Sequence, residues 1–182
     1  LHLGTTEVAE LKEIGRLLNY NGYGMSTADL HIHPADLFVE VNRFTDPWRF
    51  HQQSPLLERL RQGFAADMAL AAALQPHHCT ASGRVFLLPS TAWARRVVGV
   101  FANQLAREQP TMAHATLIAN PDGSFLVSVR APLATRQGAD DLCRRFPTGG
   151  GRAAAAGINA LPASQLDSFL SAFADQFNTP LP

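Results

Sequence analysis

"PTGGGRAAAAGIN", residues 147–159, runs through three glycines, one arginine, four alanines and a further glycine. Between Gly149 and Gly157 only Arg152 carries a side chain of any reach. Glycine opens backbone conformations closed to other residues and lets a ligand approach the main chain. Alanine favours helix. The stretch therefore predicts a glycine turn leading into a helix, whose free N–H groups and dipole would favour an anion. Arg152 in that first turn is badly placed on dipole grounds. A bound phosphate removes the conflict and gives the guanidinium a bidentate partner. The bland alternative is a tight turn before a helix, and the stretch alone fits both.

The flanking sequence extends the pattern in both directions. Upstream, "QGADDLCRRF" reads as a short helix, and "AHATLIAN" and "FLVSVR" as two strands joined at Pro121-Asp122-Gly123. "RVFLLP" reads as a buried strand. "STAWARRVVGVFANQLAREQP" reads as a helix with Ser90 as candidate cap and Trp93, Val97, Phe101 and Leu105 as its stripe. Downstream, a last helix carries Leu166, Phe169, Leu170, Phe173 and Phe177. Residues 1–76 read as helical throughout. Val8, Leu11, Ile14 and Leu18 mark one helix, and Leu37, Phe38 and Val41 follow a start at Pro34. Leu56, Leu60, Phe64, Met68 and Ala71 follow a Ser54 cap and Pro55. "HHCTASG" reads as a linker. The expected fold is α/β: a mixed β-sheet with flanking helices over 84–178, preceded by a helical connecting region over 1–76.

This order of elements, with Gly149, Gly150 and Gly151 followed by Ala155-Ala156-Gly157, resembles the DHH-associated domain. That domain is the C-terminal, substrate-binding module of DHH-family phosphoesterases, which include RecJ-type exonucleases, oligoribonucleases and cyclic-dinucleotide phosphodiesterases. The resemblance spans residues 84–177. It implies a phosphate site at Arg130, Gly149, Gly150, Gly151 and Arg152, with no catalytic residue in this chain. Arg152 stands where the family's glycine run ends in histidine, which keeps a donor for phosphate but removes a group that titrates near neutrality. The family's metal-binding Asp-His-His belongs to an upstream catalytic domain, and "PHHC" at 76–79 lacks the aspartate. With Leu1 opening the chain, the expectation is the C-terminal part of a longer enzyme. The resemblance places two divalent metals, manganese, in that missing domain and no cofactor in this part. The partners implied are an oligonucleotide or small phosphoester substrate, the catalytic domain itself and, in a homodimer, a second copy.

The composition sets no polyanion-wide field: 15 basic against 15 acidic residues give zero net charge. Fourteen of the basic residues are arginine, the residue suited to forked phosphate contacts. Two cysteines make no disulfide framework. With no apolar run of membrane length and no signal peptide, the expectation is a cytoplasmic protein without membrane contact.

Other features compete. "ADLHIHPAD", residues 28–36, resembles the opening motif of PHP-type phosphoesterases, and His31 and His33 on a strand would share a face and a metal. No second ligand motif follows, and histidines packing beside a helix start are the simpler reading. A non-catalytic nucleotide-binding regulatory module is a further alternative. Cys143 reads as a core residue, Arg95 and Arg96 as a solvated face, and His114 as structural. Trp48 and Trp93 read as packing rather than a base-stacking platform.

Overall fold

The computed structural model describes residues 3–178. The architecture is α/β, with seven α-helices and a six-stranded mixed sheet among the described residues. Four helices come first: α1 (Thr5–Tyr20), α2 (Pro34–Val41), α3 (Pro47–Gln53) and α4 (Pro55–Ala72). The last three start alike, with a capping side chain followed by proline at the first helical position, where its missing N–H costs nothing. His33 Nδ1 accepts from Ala35 N at 3.2 Å, Asp46 Oδ1 from Trp48 N at 2.9 Å and Ser54 Oγ from Leu57 N at 3.2 Å. Ile14, Leu17, Ile32, Phe50, Leu57 and Leu60 bury together between these helices, each worth about 1.5–3 kcal/mol of transfer free energy.

The sheet order is β1-β2-β3-β4-β6-β5, with β1 (His78–Thr80), β2 (Gly83–Leu88), β3 (Ala113–Ala119), β4 (Phe125–Arg130), β5 (Gly149–Arg152) and β6 (Ala155–Leu161). Among the described strands only β2 and β3 pair in parallel, as the crossover through α5 (Ala92–Glu108) requires. One face packs on α6 (Ala139–Cys143) and α7 (Leu166–Asn178). There Val127, Val129 and Ile158 meet Leu142, Phe169 and Phe173. The other face meets α5, where Phe86, Leu88 and Ile118 join Val97, Phe101 and Leu105. Tyr20 and Ala71 belong to that same cluster, so the helical region and the sheet share α5.

The glycine–alanine stretch departs most from expectation. It is a β-hairpin, β5 and β6, turning at Ala153-Ala154, and no helix starts there. Alanine's helical preference is a few tenths of a kcal/mol per residue, and β6 gains a partner on each side instead. Close packing explains why the hairpin is so poor in side chains. A Cβ on Gly149 would lie 1.9 Å from the Cys143 carbonyl oxygen, and one on Gly157 would lie 2.7 Å from that of Val127. Gly151 has φ +144°.

The "HHCTASG" linker contains β1, which pairs antiparallel with β2. Ser90 does not cap α5: its hydroxyl donates to Ala119 O at 3.2 Å, and Thr91 holds the N-cap position. Phe38 is 70% exposed rather than on a buried face. Helix α3 is additional to the elements read from sequence. In α4 the buried stripe runs through Leu57, Leu60, Asp67 and Ala71 rather than Leu56.

Candidate functional site

Strand pairing aligns Arg84, His114, Arg130, Ala155 and Arg152 in one row across five strands. Directly paired residues share a face, here the one that meets α5. The adjacent row on that face runs Phe86, Thr116, Ser128, Gly157 and Gly150. Helix α5 lies over β3 and β4. Beyond it, Gly150 and Gly157 are half-buried and Arg152 is exposed. The outcome is a shelf nearly bare of side chains on β6 and β5, flanked by two arginines. Arg130 and Arg152 sit one strand either side of Ala155, so their Cα atoms are roughly 10 Å apart.

The three glycines have different surroundings. Gly149 is tucked under the Cys143 carbonyl and Gly151 against Ala156, whereas a Cβ on Gly150 would meet nothing within 4 Å. Packing does not demand glycine at 150.

Arg130 is held by neutral acceptors. Its Nε donates to Asn103 Oδ1 at 2.7 Å, and Nη1 donates to Ser128 Oγ at 2.9 Å and to Val129 O at 3.1 Å. The Arg152 guanidinium has no hydrogen bond or ion pair among the described residues. Burial, then the charge of Arg152, pushes the Arg130 guanidinium below its ordinary value. The two sites expected to act together are thus close enough to repel. Among the described residues no carboxylate compensates either, and an anion between them would.

Arg130 also lines a cleft of about 430 Å³ beside the shelf. Gly22, Tyr23 and Gly24 form one wall, and Arg95, Arg96, Gly99 and Asn103 of α5 the other. Arg95 and Arg96 are not a solvated face. Arg95 forks onto Asp29 through Nε at 2.7 Å and Nη2 at 2.6 Å, and Arg96 onto Asp67 at 2.7 and 3.0 Å. The hydrogen bond from Arg95 holds Asp29 far below the usual carboxylate range. Burial opposes ionisation of Asp67, but hydrogen bonds from Arg96 and Tyr20 outweigh it and keep its carboxyl low.

His31 belongs to this buried network, with Nε2 2.9 Å from Tyr20 Oη and 3.5 Å from Asp67. Burial, then the Arg96 charge, lowers its pKa. His33 instead caps α2. The two therefore serve different elements, and no group of three His, Cys, Asp or Glu stands together as metal ligands among the described residues. These residues do not fit a metal centre. His114, fully buried mid-row, is held at a pKa of about 4 by burial and then the charge of Arg84. Cys143 is a core residue, its thiol pushed up to about 12 by burial.

Tyr23, Asn103, Ser128 and Gly157 join the site only through tertiary structure. The one local signal is Gly99, a glycine in the interior of a helix. No described helix is long and apolar enough to cross a membrane.

No family model matches the sequence, and no curated protein matches it. By structure, the chain is similar to the pGpG-specific phosphodiesterase PggH from Vibrio cholerae. The TM-score is 0.58 at 12% identity, over 89% of this chain and 54% of that one. It is also similar to the DHH domain of a member of the s1p family of ribosomal proteins. Here the TM-score is 0.56 at 12% identity, over 95% of this chain and 42% of that one. RecJ from Thermus thermophilus, solved with Mg²⁺, gives a TM-score of 0.46 at 18% identity, over 90% and 28%. This chain spans about half the length of the first and less of the other two.

Proposed function

We propose that this chain, which shares its fold with DHH-family proteins, is the substrate-holding part of a phosphoesterase that acts on an oligonucleotide or small phosphoester. The observation that carries this reading is the register row Arg130–Ala155–Arg152 beside the open Gly150–Gly157 shelf. A phosphate there would accept a forked pair of hydrogen bonds from the Arg152 guanidinium and a further one from Arg130 Nη2, the one nitrogen of that group not already donating. It would also relieve the repulsion from Arg152 that adds to burial in lowering the Arg130 pKa. Asn103 and Ser128 orient Arg130 for this task and leave it positively charged. Gly149 and Gly151 shape the hairpin that carries Arg152, and Gly150 keeps the shelf clear. Hydrolysis, with the two metals that would activate water, would belong to a further part of the protein. The residues described here bind and orient.

The test is titration of pApA into the protein at two salt concentrations, beside Arg152→Ala. Binding should weaken with salt, because each neutralised phosphate releases counterions. Arg152→Ala should lose most of it and flatten the salt slope by about one phosphate contact. Salt-insensitive binding, or a variant that binds as well as the original chain, would refute the reading.

A further inference from the structure

The cleft beside the shelf is electrostatically lopsided. At the Arg130 end the positive charges of Arg130 and Arg152 lack carboxylate partners among the described residues. At the Tyr23 end each cation is already matched, Arg95 by Asp29 and Arg96 by Asp67. A second phosphate has little to gain there, whereas an uncharged, flat group does. Tyr23 is 46% exposed and lines that end. Opposite it, Gly99 lies in the interior of α5, although a Cβ there would meet nothing within 4 Å. A helix-interior glycine is unfavourable, and packing does not call for this one. Its missing side chain leaves the cleft wider.

We propose that this cleft receives the nucleobase of the nucleotide whose phosphate rests between Arg130 and Arg152, with Tyr23 as the stacking residue. The inference rests on the phosphate reading above and narrows its ligand to a nucleotide, rather than a polyphosphate chain or simple phosphoester. The cleft's volume suits one such group. Asn103 spends Oδ1 on Arg130 and keeps its Nδ2 donor for a base edge. Asp29 is a positioning residue. It accepts from Met25 N at 2.8 Å and from Arg95, tying the turn that presents Tyr23 to α5.

The experiment measures pApA and inorganic tripolyphosphate binding to the original chain, Tyr23→Ala, Tyr23→Phe, Gly99→Leu and Arg152→Ala. Tyr23→Ala should weaken pApA binding about 5- to 150-fold (~1–3 kcal/mol) and leave tripolyphosphate binding unchanged. Tyr23→Phe should keep both. Gly99→Leu should raise the melting temperature and still lose pApA. If Tyr23→Ala and Gly99→Leu bind pApA normally while Arg152→Ala does not, the base subsite is wrong and the phosphate site stands. If Arg152→Ala binds both probes normally, or the original chain does not bind pApA, both are wrong.

Discussion

Replacing Gly150 by alanine separates what the hairpin's glycines do for the fold from what they do for a ligand. Gly150 is extended, and its added Cβ would meet nothing within 4 Å. Alanine at a compatible position restricts the unfolded chain and stabilises by about 0.4–1 kcal/mol. For a chain of this size that is roughly a 1–4 °C rise in melting temperature. The same methyl would project onto the shelf beside Arg130 and Arg152. Displacing a phosphate from one charge-assisted hydrogen bond costs about 1.5–3 kcal/mol, or roughly 10- to 150-fold in affinity. Gly149→Ala is the counterpart. Its Cβ falls 1.9 Å from a backbone oxygen, so the strand must shift, at a cost of about 1–3 kcal/mol. Thermal unfolding by circular dichroism and pApA titration by calorimetry read both quantities. Gly150→Ala should melt no lower than the original chain and bind markedly worse. If it binds pApA unchanged, the ligand does not rest on this shelf. If it melts as low as Gly149→Ala, the shelf is not open.

Two other predictions concern titration and reactivity. His114 keeps a folded pKa of about 4, against about 6.5 in the unfolded chain. Between these values the unfolded chain takes up a proton that the folded one refuses. Stability should therefore be full above pH 6.5 and fall toward pH 4, with about 2 kcal/mol of it gone by pH 5. Urea unfolding midpoints at pH 8 and pH 5 measure this, and His114→Leu should lose most of the difference. An equally acid-sensitive variant would assign the effect to other groups. Cys79 is exposed, whereas Cys143 is buried with its thiol pushed up to about 12. A thiol reagent at pH 8 should label one cysteine per native chain and two after denaturation. Prompt double labelling would show that the α6 core opens readily.

The sequence carried the strong amphipathic elements well because they need only local information. Ser54 followed by Pro55 announces α4, and Pro121-Asp122-Gly123 announces the β3–β4 turn. Asp46 followed by Pro47 was the same signal for α3, hidden because seven residues show too little periodicity. The hairpin is illegible locally for a different reason. Alanine-rich local preference says helix, and what overrules it is β4, about thirty residues earlier, supplying a partner for β6. Arg130 and Arg152 were legible as candidate cations, but their shared row follows from strand pairing alone. Arg95 and Arg96 looked solvent-facing because their partners, Asp29 and Asp67, stand far off in the chain.

The side on which Arg152 stands is set by parity. Side chains alternate along a strand, so sliding β5 by one residue against β6 would send the guanidinium to the α6 face and turn a neighbour toward α5. Bare glycines give such a slip little resistance of their own. Thr148 supplies it: with φ +60°, it accepts from Asn159 N through its carbonyl at 3.3 Å and from Ala160 N through its hydroxyl at 2.9 Å. A single-residue insertion at Ala153-Ala154 would keep the composition of the hairpin and invert its polarity. Length in that turn should therefore tolerate change far less than the identity of its alanines.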